Sequence, residues 1–159
     1  MDNRGAVREQ HCGESNNRPG DIYHPDFMLG KPAYINVTVR SSLQPQYLLR
    51  AAVEAGAASE AGEMEKDERH EREVTAAGGI FIPLVVETLG LWSPNSLKVL
   101  CSITSTASTL NGISRGQAIN NLLQQLSVRL WTFNARMVHS RIELEGMDVR
   151  DWDLPTINC

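Results

Sequence analysis

From Tyr34 to Arg40 apolar and polar residues alternate, with Ile35, Val37 and Val39 on one side and Asn36, Thr38 and Arg40 on the other. That period of two is the pattern of a strand with one face in a core. The expected core face is Ile35, Val37 and Val39, which leaves the opposite face to carry chemistry. A shorter β-prone run, Asp21 to Tyr23, comes first; His24-Pro25-Asp26 breaks it, and Gly30-Lys31-Pro32 closes a turn. The connection is too short for a crossover, so the two strands are expected to pair antiparallel. A third run, Ile80 to Val86, is apolar throughout and bounded by glycines behind and Thr88-Leu89-Gly90 ahead, as in a buried strand. Pro83 within it points to an edge position or a break in the ladder. Glu87, at its end, is expected either near the edge of a site or in solvent.

Elsewhere the period is helical. One long helix is expected from Tyr47 to about Ala76. Its first half is rich in small residues, among them Ala51, Ala55, Gly56, Ala58 and Gly62. Each glycine costs a helix about 1 kcal/mol relative to alanine, which a close approach to a sheet would justify. The second half, Glu63 to Glu73, is dense in charge and reads as a solvated extension, with His70 as a surface histidine. Gly56, Ser59, Glu63, Lys66 and His70 share one stripe at spacings of three and four. Ser93-Pro94 starts another helix, which ends at Asn111-Gly112. Ser114 with Gln117 then forms a capping box ahead of a strongly amphipathic helix. This last helix carries one stripe through Ile119, Leu122, Leu126, Leu130, Phe133 and Met137, and a second through Trp131, Ala135, Val138 and Ile142.

These elements predict an α/β fold, a small mixed sheet with helices packed on it, in a single domain over residues 18–145. Residues 1–17 read as a flexible polar tail. Residues 146–159 read as an irregular one, with Trp152 docking back onto the core. A chain of 159 residues with 42% hydrophobic content suits one sizeable core. The net charge of -4 excludes a global basic footprint for nucleic acid. The deficit is local: residues 47–76 hold four bases against eight acids. Arg115, Arg129, Arg136 and Arg141 make the last helix the place to look for phosphate contacts. Cys12, Cys101 and Cys159 are odd in number and far apart, which implies no disulfide framework and suits a reducing compartment. His11-Cys12 lacks the further ligands of a zinc site. No apolar run approaches the roughly 18 residues of a membrane span, and no targeting signal is visible, so the expectation is an intracellular protein, nuclear or cytoplasmic, with no membrane partner.

An acid at the start of one strand, followed after a turn by polar residues at i and i+2 on the next, is a way to aim oxygens at one divalent ion. The order RPGDI, INVTV, an Ala/Gly-rich helix carrying a lysine (AGAASEAGEMEKDERHE) and IFIPLVVETLG resembles the restriction-endonuclease-like domain found at the C-terminal end of certain non-LTR retrotransposon polyproteins, within the PD-(D/E)XK nucleases. The matching blocks span roughly residues 18 to 90. The resemblance implies a Mg²⁺-dependent endodeoxyribonuclease acting on DNA. Asp21 matches the first acid of that family; Asn36 stands where its second acid falls. Lys66 matches the catalytic lysine, which in that family has moved from the strand to the helix. The implied catalytic set is Asp21, Asn36 and Lys66, the implied Mg²⁺ ligands are Asp21, Asn36 and the Val37 carbonyl, and Arg18 and Arg40 are candidate contacts to DNA phosphates. With one acid replaced by an amide, the expectation is a degenerate domain, weak or inactive in hydrolysis. The alternatives are a non-catalytic nucleic-acid or protein interaction module, or a retroelement remnant.

Overall fold

A computed structural model describes residues 18–28 and 30–144, together with the short strand Val7–Arg8. Its four strands are β1 (Val7–Arg8), β2 (Ile22–Met28), β3 (Lys31–Arg40) and β4 (Ile80–Glu87). They form one mixed sheet in the order β1-β2-β3-β4. β1, β2 and β3 run antiparallel in turn, while β4 lies parallel to β3 from Ala33–Ile80 to Arg40–Glu87. The mixed α/β architecture and the antiparallel pairing of the first two runs are as expected.

The elements differ from expectation in instructive ways. β2 runs on through His24, Pro25 and Asp26; the ladder absorbs the proline by a register shift between His24 and Met28, and Gly30, at φ +75°, makes a tighter turn than expected. β1 pairs with Ile22 and Tyr23, so Val7 and Arg8 are not part of a loose tail. The other residues of 1–17, including His11 and Cys12, and all of 145–159, including Trp152, lie outside the described residues.

The connection from β3 to β4 holds two helices, α1 (Pro45–Ala51) and α2 (Ala57–Ala76), where one was expected. Gly56 divides them, because its φ of +91° belongs to the left-handed region and cannot continue a helix. Gly62 does serve a close approach. A Cβ at Gly62 would stand 3.0 Å from both Arg40 Cγ and Val85 Cγ1, so α2 presses on the face of the sheet that carries Tyr34, Asn36, Thr38 and Arg40. This reverses the expected facing of β3. Ile35 is buried, but Val37 and Val39 are 44% and 48% exposed, whereas the polar alternates lie half-covered beneath α2. Tyr34, Val74 and Phe81 form a buried cluster under the helix, with Tyr23 packed against it.

β4 is the sheet's outer strand opposite β1, consistent with Pro83. α3 (Pro94–Asn111) follows it, capped by Ser93, whose side chain accepts from the Ser96 N–H, and ended by Gly112 at φ +65°. Its first turn closes the open edge of β4: the Val85 N–H donates to Ser96 Oγ at 2.8 Å and the Ser93 N–H donates to the Val85 carbonyl at 3.1 Å. α4 (Arg115–Leu144) opens with the expected capping box, the Gln117 N–H donating to Ser114 Oγ at 3.2 Å and the Ser114 N–H to Gln117 Oε1 at 3.2 Å. By internal contacts the chain divides within α4 into two compact units, Met1–Ile119 and Asn120–Cys159. Among the described residues no helix is long and apolar enough to cross a membrane.

Candidate active site

The register of β2 and β3 sets Ile22 opposite Ile35 and Tyr23 opposite Tyr34, which puts Asp21 across from Asn36. The residues before Asp21 make this possible. Pro19 and Gly20 are buried, and Gly20 lies on the backbone of β3: a Cβ there would stand 2.8 Å from the Ile35 nitrogen and 2.9 Å from the Tyr34 carbonyl carbon. Only a residue without a side chain crosses that closely. The approach is then fixed by hydrogen bonds. Asn36 Nδ2 donates to the Pro19 carbonyl at 3.2 Å, and the Val37 N–H donates to Asp21 Oδ2 at 2.7 Å. Thr38 Oγ1 donates to Asn36 Oδ1 at 2.9 Å. In an extended strand the N–H and C=O of one residue point to the same side, so the Val37 carbonyl also faces the Asp21 side. Asp21 itself is exposed, with Asn36 and Thr38 half-buried beside it.

Lys66 is brought to the same level by the way α2 lies along β4. Glu87 Oε1 accepts from the Ala58 and Ser59 N–H groups, Gly62 rests on Val85, and the His70 ring lies 5.3 Å from the Phe81 ring. Eight helical residues rise about 12 Å and four strand residues about 13 Å, so helix and strand stay in step. Lys66, midway from Gly62 to His70, therefore stands level with Pro83, whose neighbour on β3 is Asn36. Lys66 is half-buried. It is near enough to His70 to disfavour that imidazole's protonation: burial first, then Lys66 and Arg69, push the His70 pKa down, against an opposing pull from Glu73.

The two expected phosphate contacts fare differently. Arg18 is exposed at the head of the segment that delivers Asp21. Arg40, by contrast, runs under α2 against Gly62, with only 18% of its side chain exposed and its Nη2 paired to Glu65 Oε2. The covering helix holds it in that pair. His70 is likewise no surface histidine: it is buried, and its Nδ1 has no hydrogen-bond partner.

Two acids expected at an edge or in solvent are buried. Glu87 is 5% exposed and serves as a remote N-cap for α2, its Oε1 at 3.2 Å from the Ala58 nitrogen and 3.3 Å from the Ser59 nitrogen. Glu63, assigned to a solvated stretch, is buried at the start of α3, where it accepts from Ser93 Oγ, from Ser96 Oγ at 3.1 Å and from Asn95 Nδ2 at 3.3 Å. An anion at a helix N-terminus suits the positive end of the dipole in both cases. The signals available were the strand-terminal position of Glu87 and the three- and four-residue spacing that sets Glu63 on the stripe of Ser59, Lys66 and His70. Pro19-Gly20 was legible only as a turn.

Among the described residues no three His, Cys, Asp or Glu side chains converge as a metal-binding group. Compared with known protein families, curated proteins and solved structures, the chain matches none of them.

Proposed function

We propose that this chain is a degenerate restriction-type DNA endonuclease domain of retroelement origin, which keeps the frame of a metal-dependent site and is weak or inactive in hydrolysis. The observation that carries the reading is the placement of Asp21 directly across from Asn36, with Lys66 level with them on the helix that covers the same face. A pair of strands presenting oxygens at one point beside a cationic side chain is the arrangement that phosphodiester hydrolysis uses.

The donors fit a hard divalent ion in kind but are poor in charge. Asp21, the Val37 carbonyl and the Asn36 amide oxygen would hold Mg²⁺, and all three are oxygen donors, but Asp21 supplies the only negative charge. When bound, such an ion polarises a phosphate and lowers the pKa of a bound water. The Asn36 amide is already committed at both ends, to the Pro19 carbonyl and the Thr38 hydroxyl. It neither neutralises an ion nor accepts a proton. Lys66 contributes a positive charge that orients the attacking water or meets the scissile phosphate, and Arg18 is placed to hold the DNA backbone.

The test is a plasmid-nicking assay in Mg²⁺ and in Mn²⁺ with the native chain, with Asn36→Asp, and with Asn36→Asp combined with Asp21→Ala. A second carboxylate worth about 3 kcal/mol of transition-state stabilisation would raise nicking on the order of a hundredfold. The expected pattern is little or no nicking by the native chain, nicking by Asn36→Asp, and loss in the double variant. Robust nicking by the native chain would show that Asn36 suffices as a ligand. Three folded but inactive proteins would leave only the binding-module or remnant reading.

A further inference from the structure

α4 carries a second pattern that the nuclease reading does not use. Ile119, Leu123, Leu126, Leu130, Phe133 and Met137 follow one another at alternating steps of four and three, which keeps all six on one face of the helix. A continuous apolar face of this kind is the seam that one helix lays against another. α4 is continuous through all of it, and in the unit Asn120–Cys159 it is the sole element among the described residues. Towards its C-terminal half the seam is open, with Phe133 58% and Met137 54% exposed.

The residues bordering the seam select the occupant. Arg129 and Arg136, seven apart, lie on one border, and Arg141 lies on the other; no acid occurs from Arg115 to Ile142. Arg136 also lies over the Phe133 ring, at 5.9 Å, which joins the basic border to the apolar seam. A second copy of this chain is the poorer fit in either direction. In a parallel pair Arg136 would face Arg141 of the other copy, and in an antiparallel pair Arg129 would face its Arg136, so cation meets cation both ways. Nucleic acid would use the arginines but has no use for a seam of leucine, phenylalanine and methionine. We propose that α4 is a docking helix for an acidic amphipathic helix of another protein, with apolar residues at the same three- and four-residue steps and Asp or Glu along both borders. This interaction surface is independent of whether the Asp21 site hydrolyses DNA.

The test uses the full chain and two synthetic helical peptides of 28 residues, both with leucine along the seam, one with glutamate and the other with lysine at all border positions. Each peptide repels itself, so neither pairs with its own copies. In sedimentation and titration calorimetry the glutamate peptide is expected to bind one to one and at least tenfold more tightly than the lysine peptide. Arg129→Glu with Arg136→Glu should invert that preference. Phe133→Asp or Met137→Asp should abolish binding, while Val128→Asp, exposed but off the seam, should leave it unchanged. The proposal is overturned if neither peptide binds, if Val128→Asp is as damaging as Phe133→Asp, or if the free chain is already a dimer that Phe133→Asp dissociates. Duplex DNA displacing the glutamate peptide from native α4, with no effect of Phe133→Asp on DNA binding, would also overturn it.

Discussion

Gly20 carries the position of the candidate site in a single hydrogen atom. The backbone of β3 lies where its Cβ would be, and backbone cannot give way as a flexible side chain can. Gly20→Ala is therefore expected to destabilise the fold by roughly 1–3 kcal/mol, the usual cost of overpacking, measured by urea unfolding. Gly116→Ala is the matched control, since nothing lies within 4 Å of the added methyl and the position is helical. There the change should stabilise by about 0.5–1 kcal/mol. Equal effects of the two substitutions would refute the close-packing account. Residues of this kind are hardly legible in sequence. Asp21, Asn36 and Thr38 could be picked out because alternation along a strand is local, and the structure does bring them together. Which face of β3 would be covered was not local: it depends on where α2 lands, some twenty residues on, and so the expected core face proved to be the one with exposed Val37 and Val39.

At the scale of elements, the first two turns of α2 are held by charge as well as by packing. Glu87 reaches it from the end of β4, and Glu63 reaches out from it to the start of α3. Without Glu87, two buried N–H groups of the first turn of α2 would lose their acceptor, a loss of about 1–3 kcal/mol. Glu87→Ala should show that loss in urea unfolding, and Glu87→Gln, which keeps an acceptor oxygen, should recover a large part of it. A glutamine variant as unstable as the alanine variant would mean that packing, not capping, is what Glu87 supplies. The helices themselves were readable from caps: Ser93-Pro94, Asn111-Gly112 and Ser114 with Gln117 all fall where the pattern put them. The break at Gly56 was missed because glycine both loosens a helix and permits close packing, and composition does not say which. Gly62 does the second and Gly56 the first.

For the whole molecule, acid should act through His70. Its imidazole is buried, its Nδ1 has no partner to stabilise a proton, and Lys66 and Arg69 on the same helix oppose one, with Glu73 alone pulling the other way. The unfolded chain takes up this proton near the ordinary value of about 6.5, whereas the folded chain does so only at lower pH. The unfolded state thus binds more protons between those two values, and stability falls as pH drops through that window and then levels off. Asp67 acts in the opposite sense. Burial first, then Glu71 and Glu63, raise its pKa, so stability is gained as pH falls through that raised value and is fully present below the ordinary carboxylate range. The two effects separate by substitution. His70→Phe keeps an aromatic ring against Phe81 and cannot protonate, so its stability should be flatter from pH 7.5 to pH 5 than that of the native chain in parallel urea titrations. Asp67→Asn should stabilise the protein at pH 7, with an advantage that shrinks as pH falls and is gone below the ordinary carboxylate range. If the native chain and His70→Phe lose stability in parallel between pH 7.5 and 5, the buried imidazole is not what couples this fold to acid.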